Sequence, residues 1–104
     1  MVQTFDSAAF KAAMERKETL VVDFWAGWCG PCRMLAPVME QVSEELSDKA
    51  TFVKIDVDEN PDLAREYSIM SIPCVMVFKN GELAGKNVGF GPKAAMMEFV
   101  EKYI

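Results

Sequence analysis

The sequence predicts an α/β domain built on a mixed β-sheet, and three observations support this prediction. Apolar segments of strand length alternate with amphipathic segments of helix length through the first two thirds of the chain. The dipeptide Asn80-Gly81 separates two further strand-like segments and is a strong signal for an antiparallel hairpin. The 104 residues are 51% hydrophobic, which supplies one compact core, so we expect a single domain over residues 1–104.

The N-terminal part of the chain predicts a short helix followed by a buried strand. Asp6 or Ser7 is suited to cap the helix, whose apolar side chains should face inward. These side chains belong to Phe10, Ala13 and Met14. Residues 20–25, Leu-Val-Val-Asp-Phe-Trp, form an almost continuous apolar run and predict a strand that is buried on both faces.

A long amphipathic helix is predicted after this strand, because apolar residues recur three or four positions apart. These residues are Met34, Leu35, Val38, Met39, Val42 and Leu46. Cys29 lies at the predicted start of the helix, and Cys32 lies one turn inside it.

The middle of the chain predicts a second strand, residues 51–57, and a short helix after it. Asn60 is suited to the N-cap position of this helix and Pro61 to its first turn. The apolar residues of the helix are Leu63, Ala64 and Tyr67. Two strand–helix–strand units follow each other here, which predicts parallel pairing of their strands.

The C-terminal part predicts an antiparallel hairpin of residues 74–79 and 82–88 around Asn80-Gly81, so the sheet should be mixed. A closing helix begins at Pro92 and has apolar residues at helical spacing. These residues are Met96, Phe99, Val100 and Tyr103. The eight methionines are interpreted as flexible side chains that fill gaps in the core.

Charge and composition exclude several classes of protein. A net charge of −5 and the lack of Lys/Arg runs argue against binding to nucleic acid or an anionic membrane. No apolar run approaches the ~18–20 residues of a membrane span, and the first residues lack the basic and apolar regions of a secretory signal. We therefore expect a cytoplasmic protein that acts as a monomer on proteins or small solutes.

The motif Trp28-Cys29-Gly30-Pro31-Cys32 predicts thiol–disulfide chemistry. At the start of a helix, free backbone N–H groups and the helix dipole stabilise an anion, so the pKa of the Cys29 thiol should be lowered. The Cβ atoms of helix positions i and i+3 lie ~5–6 Å apart, and small local shifts bring them close to disulfide geometry. Cys29 and Cys32 can therefore form and open a disulfide without refolding. Gly30 allows the turn without a Cβ clash, and Pro31 fixes a helical φ in the first turn.

The alternative is that the two cysteines are structural or belong to a zinc site. Zinc normally takes four Cys, His or carboxylate ligands, whereas the chain has no His and only one further thiol, Cys74. We therefore expect no metal site. The lack of His also excludes the chemistry of Cys-His proteases.

The strand that ends in Asp-Phe-Trp-Ala, the motif Trp-Cys-Gly-Pro-Cys, the later Ile72-Pro73 and the Gly-containing hairpin together resemble the thioredoxin family. The resemblance covers essentially the whole chain. It implies the thioredoxin fold, a central mixed sheet flanked by four helices, and a general protein-disulfide reductase. It also implies that Cys29 attacks, that Cys32 resolves the mixed disulfide, and that Pro73 is a cis proline facing both.

The same resemblance implies the partners and the cofactor requirement. A flavin-containing thioredoxin reductase would recycle the protein with electrons from NADPH. The protein itself would bind no cofactor, because its redox-active group is the disulfide Cys29–Cys32. Cys29 would have an exposed sulfur, and an apolar patch around it would bind extended segments of disulfide-containing substrates. The residues assigned to this site by resemblance are Trp28, Gly30, Pro31, Ile72, Pro73 and Gly89.

Three features of this patch need separate comment. Core packing is the alternative interpretation for Trp28. Before Ile72-Pro73 the family often has Gly and a small or basic residue, whereas this segment reads Ser68-Ile69-Met70-Ser71, which predicts a more apolar rim. Cys74 follows Pro73 where a Thr or Ser is common, and its interpretation as a small buried apolar residue stands beside that of a third thiol near the substrate groove.

Asp23 is a carboxylate within a strand that is otherwise apolar, so desolvation should raise its pKa. The resemblance implies that Asp23 takes the proton of Cys32, through a water, when the mixed disulfide is resolved. The alternative is a structural pair with Lys54, the one cation in the strand at residues 51–57. Both roles are compatible, because Lys54 would tune the pKa of Asp23.

Two other functions remain open from the sequence. A dedicated oxidant or isomerase would use the same chemistry, but the Gly-Pro between the cysteines and the lack of a secretory signal argue against it. A non-enzymatic docking subunit would use the fold only as a binding surface. Such a subunit would keep its role after both cysteines of the motif were replaced.

Overall fold

The computed structural model describes residues 1–104 and contains one five-stranded sheet and four helices. The strands are β1 (Gln3–Thr4), β2 (Leu20–Trp25), β3 (Thr51–Asp56), β4 (Cys74–Lys79) and β5 (Glu82–Val88). The helices are α1 (Ser7–Glu15), α2 (Gly30–Glu45), α3 (Pro61–Glu66) and α4 (Lys93–Tyr103). The strand order is β1-β3-β2-β4-β5, which confirms the predicted mixed sheet. None of the helices has the length and apolar character needed to cross a membrane.

The two strand–helix–strand units differ in the direction of their strands. β2 and β3 are parallel, as predicted, but β4 runs antiparallel to β2, so the parallel prediction is wrong for the second unit. The six-residue α3 spans ~9 Å, whereas a six-residue strand spans ~20 Å. The chain leaves α3 without returning to the far end of the sheet. β4 therefore begins beside the end of β2, with Cys74 opposite Phe24.

Strand β1 has no signature in the sequence, because two residues are too few to show an alternating pattern. It pairs in parallel with β3, and its residues Gln3 and Thr4 lie opposite Val53 and Lys54. β1 therefore extends the sheet beyond β3 and leaves β2 at the centre.

Each face of the sheet packs against its own pair of helices. Successive residues of a strand point to opposite faces, so Val22 and Phe24 pack with α1 and α3, while Val21 packs with α2 and α4. Asp23 is two residues from Val21 and lies on the α2–α4 side. Cys32 belongs to the buried face of α2. Asp23 and Cys32 are therefore on the same side of the sheet.

Methionine is not confined to the core, so that interpretation is wrong for three of the eight. Met39, Met76 and Met96 are buried, but Met1, Met34 and Met70 are 82%, 60% and 93% exposed. Met34 precedes the buried Leu35 by one position, and one residue turns an α-helix by ~100°. The side chain of Met34 therefore leaves the face that α2 packs against the sheet.

The predicted helix caps have different outcomes. Asp6 caps α1, because its Oδ1 accepts a hydrogen bond from the Ala9 N–H at 2.8 Å. Asn60 and Pro61 occupy the predicted N-cap and first-turn positions of α3, but the Asn60 side chain makes no capping hydrogen bond. Its amide donates to the Asp56 carbonyl at 3.0 Å, and its Oδ1 accepts from the Ser7 N–H at 2.9 Å. Asn60 instead joins the segment after β3 to the start of α1.

The predicted hairpin is confirmed. β4 and β5 pair antiparallel, and the residues between them, Asn80 and Gly81, have positive φ angles of 56° and 81°. Such angles match the twist of a hairpin and favour Asn-Gly. The hairpin brings Val88, the last residue of β5, opposite Cys74, the first residue of β4. The start of β4 and the end of β5 therefore lie side by side.

Candidate active site

The cysteine pair lies where β2 gives way to α2. Cys29 is the N-cap of α2, with extended backbone angles, and its Sγ accepts a hydrogen bond from the Cys32 N–H at 3.1 Å. The two residues form a disulfide with Cα atoms 5.2 Å apart. Pro31 is in the first turn, where its missing N–H leaves no intrahelical bond unmade. The pair is therefore held at the positive end of a sixteen-residue helix.

Cys29 lies in a recess in the disulfide form. The expectation that Cys29 is exposed is wrong for this form, because only 4% of its surface is accessible, against 3% for Cys32. Its neighbours Gly27, Trp28 and Pro31 are exposed and form a rim around it. A partner sulfur must therefore approach Cys29 through this rim.

The opposite wall of the recess is the segment that leads into β4. The Ile72–Pro73 peptide bond is cis, as the family resemblance implies, and the Ile72 carbonyl oxygen lies 3.8 Å from Cys29 Sγ. The Gly89 N–H donates to the Pro73 carbonyl at 2.8 Å. Gly89 has a φ of 95°, which favours glycine, so this bond ties the end of β5 to the cis proline.

Trp28 is a surface residue and not part of the core. Its side chain is 69% exposed, and its Nε1–H donates to Asp58 Oδ2 at 2.8 Å. The sequence gives no local signal for Asp58 as a partner. Parallel strands end at the same edge of a sheet, however, and Asp58 lies two residues after β3. That placement would have predicted an acidic side chain near the end of β2.

Asp23 is a buried carboxyl with an unsatisfied oxygen. It is 5% exposed, and its Oδ1 has no hydrogen-bond partner. Burial raises the pKa of Asp23 from 3.8 to about 7, against the opposing effect of the Lys54 ammonium. A carboxyl with this pKa exchanges a proton near neutral pH, as a general base for a thiol requires.

Lys54 influences Asp23 from a distance and does not form a salt bridge with it. The two residues are opposite each other in the β2–β3 register, but none of the three ion pairs in the structure joins them. The Lys54 Nζ lies 5.2 Å from the centre of the Trp25 ring. The alternative of a tightly paired structural carboxylate is therefore not what the geometry shows.

Cys74 is separated from the redox pair by the sheet. It is 1% exposed, is not in a disulfide, and packs on the α1–α3 side with Phe24 and Met76. Burial raises the pKa of its thiol, while the Lys86 ammonium lowers it. These properties match the interpretation of Cys74 as a small buried apolar residue.

The chain is similar in sequence and in fold to thioredoxins. The family model named Thioredoxin matches residues 1–102. A thioredoxin of Bacillus subtilis is 52% identical over 85 residues, which make up 82% of each chain. A thioredoxin of Rickettsia felis is 42% identical over 99 residues, or 95% of this chain and 94% of the relative. The crystal structure of chloroplastic thioredoxin z superposes with a TM-score of 0.86 and 41% identity, covering 98% of this chain and 93% of that chain.

Proposed function

Because this chain belongs to the thioredoxin family, we propose that it is a general reductant of protein disulfides in which Cys29 attacks and Cys32 resolves. Proteins of this family are protein-disulfide oxidoreductases that act by dithiol–disulfide exchange. The observation that carries the proposal is the Cys29–Cys32 disulfide at the start of α2. Both halves of the reaction need a thiol pair that opens and closes without refolding.

In the first step, the Cys29 thiolate attacks one sulfur of a substrate disulfide. The substrate S–S bond breaks, a mixed disulfide forms, and the other substrate sulfur leaves as a thiolate that takes up a proton. The N-cap position supports this role, because the Cys32 N–H points at Cys29 Sγ and the helix dipole stabilises its negative charge. Gly30 and Pro31 form the turn that holds this geometry.

In the second step, Cys32 loses its proton and attacks Cys29 Sγ. The intramolecular disulfide forms, and the second substrate sulfur leaves as a thiol, so two electrons pass from protein to substrate. We assign the Cys32 proton to Asp23, through a water, because Asp23 lies on the same side of the sheet and its pKa is about 7. Lys54 tunes this pKa downward, which keeps part of the carboxyl deprotonated at neutral pH.

Substrate segments bind, in this proposal, on the rim of the recess. Trp28 offers an exposed apolar ring, and Ile72 offers backbone groups beside Cys29. Pro73 and Gly89 hold this wall in place through the bond between them. Backbone pairing beside Ile72 is independent of the substrate's side chains, which suits a reductant of many proteins.

The remaining partners follow from the same chemistry. A flavin-containing, NADPH-dependent thioredoxin reductase returns two electrons to the Cys29–Cys32 disulfide, and no bound cofactor is needed because the thiol pair carries the electrons. One chain holds both thiols, so we propose that a monomer is the active form. A reducing compartment such as the cytoplasm keeps the pair and Cys74 available as thiols, and we place the protein there.

The proposal is tested by insulin reduction coupled to NADPH oxidation by a bacterial thioredoxin reductase. The wild-type protein should sustain NADPH consumption, and a variant with Cys29→Ser and Cys32→Ser should sustain none. Circular dichroism of both proteins establishes that the variant is folded. Equal NADPH consumption with and without the two cysteines would leave only a docking role for the fold and would overturn the proposal.

A further inference from the structure

Two grooves lie on either side of the exposed Met70, close to the segment that contacts Cys29. The tryptophan groove, of about 320 Å³, is lined among others by Trp28, Asp58, Pro61, Ala64, Met70 and Ile72. The lysine groove, of about 280 Å³, is lined among others by Ser68, Met70, Ser71, Cys74, Lys86 and Val88. The lysine groove is therefore continuous with the proposed binding surface beside Cys29, since both grooves share Met70.

The lysine groove has an apolar floor and a positively charged edge. Cys74 and Val88 are opposite each other in the β4–β5 register, and Lys86, two residues before Val88, points to the same face. Lys86 is exposed, takes part in none of the three ion pairs, and no carboxylate lines the groove. Lys86 also lines a groove with Glu98 and Lys102 of α4, but it forms no ion pair with Glu98. Its ammonium is therefore free to bind a substrate carboxylate, in a chain of net charge −5.

The other groove offers a different electrostatic environment. It contains both Asp58 and Arg65, and the Asp58 carboxylate already accepts the Trp28 Nε1–H at 2.8 Å. A negatively charged substrate side chain would meet one charge of each sign there. In the lysine groove the same side chain would meet Lys86 and the exposed residues Ser68 and Ser71.

The segment that leads to Ile72 has free backbone for an extended substrate. Cys29 Sγ lies 3.8 Å from the Ile72 carbonyl, and residues 70–72 make no backbone–backbone hydrogen bond. β4 is already paired on both sides, with β2 and β5, so a substrate pairs with residues 70–72 and not with β4. An extended segment advances ~3.3 Å per residue, so a side chain two positions from the substrate cysteine lies ~7 Å away, beside Met70, which lines the lysine groove.

We propose that Lys86 determines substrate preference, by binding a carboxylate side chain located two positions from the substrate cysteine. The inference rests on the proposed function and names a class of substrate for it: extended segments with an acidic residue beside the reactive disulfide. The Lys86 ammonium attracts the carboxylate, and Ser68 and Ser71 offer hydroxyl donors. An exposed ion pair of this kind changes the reaction rate by about two- to fivefold.

The test uses short peptides whose single cysteine is a mixed disulfide with thionitrobenzoate. Cys29 displaces the coloured thionitrobenzoate from the peptide sulfur, and Cys32 then displaces the peptide thiol, so each oxidised chain releases one of each. One series has Glu, Gln or Lys two residues before the cysteine, and a second series has them two residues after it. NADPH and a thioredoxin reductase return two electrons to the Cys29–Cys32 disulfide after each cycle, and kcat/KM is measured for the wild-type protein and for Lys86→Gln, Lys86→Glu and Lys49→Gln.

The quantity compared is the ratio of kcat/KM for the Glu peptide to that for the Gln peptide. In one of the two series this ratio should fall by about two- to fivefold in Lys86→Gln, fall further in Lys86→Glu, and decrease with added salt. Lys49→Gln should keep the wild-type ratio, because Lys49 precedes β3 at the opposite end of the sheet. A ratio that is unchanged by both Lys86 substitutions in both series would overturn the inference.

The two proposals fail in distinguishable ways. If the peptides are reduced by the wild-type protein but not by Cys29→Ser, the proposed function stands whatever the Glu-to-Gln ratio is. If Cys29→Ser releases thionitrobenzoate and peptide thiol as fast as the wild-type protein, the proposed function itself is wrong.

Discussion

Replacing Asp23 by Asn should stabilise the protein at neutral pH. Asp23 is 5% exposed, its Oδ1 lacks a partner, and burial raises its pKa from 3.8 to about 7 although Lys54 lowers it. At about 1.4 kcal/mol per pKa unit, this shift corresponds to about 4 kcal/mol of lost stability when the carboxyl is ionised. Asn keeps the shape of the side chain but removes the cost of burying the charge.

The pH dependence follows from the sign of the shift. Between pH 3.8 and about 7, the folded chain holds the Asp23 proton and the unfolded chain releases it. The free energy of unfolding of the wild-type protein therefore falls as the pH rises through this window, and this contribution levels off above it. Asp23→Asn has no such group, so its advantage over the wild-type protein should grow across the same window.

Urea unfolding of the disulfide form, followed by circular dichroism at about pH 5 and about pH 8, measures this advantage. The difference in the free energy of unfolding between Asp23→Asn and wild type should be larger at the higher pH by about 3 kcal/mol, because about 2 kcal/mol of the cost of ionising Asp23 is already present at pH 5. Asp48→Asn, which alters an exposed residue after α2, serves as the control. Equal differences at both pH values would refute the account of Asp23 as a buried titrating carboxyl.

The same variant tests the proposed role of Asp23 in the reaction. Stopped-flow measurements should show that Asp23→Asn slows the attack of Cys32 on the mixed disulfide more than the first attack by Cys29, because Asn cannot accept the Cys32 proton. If both steps kept their wild-type rates near pH 7, the proton-acceptor role would have to be abandoned.

Three further results are expected. In the reduced protein, iodoacetamide should modify Cys29 before the other two thiols, because Cys29 is the N-cap of α2, whereas Cys32 lies on the buried face of the helix; peptide mapping with another order would contradict this. After mild oxidation, mass spectrometry should count one free thiol, the buried Cys74, and a Cys74 adduct formed as fast as the disulfide would show that it is reactive. Gly85→Ala should cost about 1–3 kcal/mol in urea unfolding, because its Cβ would lie 2.5 Å from the Tyr103 ring. The control Gly27→Ala, whose Cβ meets nothing within 4 Å, should cost less, and equal losses would contradict the clash.

The local parts of the fold were predictable because their signals lie within a few residues. The buried run of β2, the helical spacing of α2 and the Asn80-Gly81 hairpin each depend on neighbouring side chains, and all three are confirmed. The direction of β4 depends on the path that the chain takes through the loops on either side of α3. Such loops have no hydrophobic periodicity, so the sequence does not indicate their path.

The site shows the same division between local and long-range information. The position of Cys29 as N-cap follows from the end of β2 and the start of α2, which the sequence shows directly. The recess around Cys29 depends on the Ile72–Pro73 segment and on the bond from Trp28 to Asp58, which join distant parts of the chain. No pattern along the sequence indicates such contacts, so the burial of Cys29 in the disulfide form could not be predicted.

The central claim is that Cys29 attacks and that Cys32 resolves, and mixed-disulfide trapping tests it most directly. Cys32→Ser and Cys29→Ser are each mixed with a disulfide-bonded peptide and analysed by mass spectrometry without reduction. Cys32→Ser should retain one peptide per chain on Cys29, because the resolving thiol is missing, and Cys29→Ser should retain none. Equal trapping by both variants, or an adduct on Cys74 in either, would contradict the account.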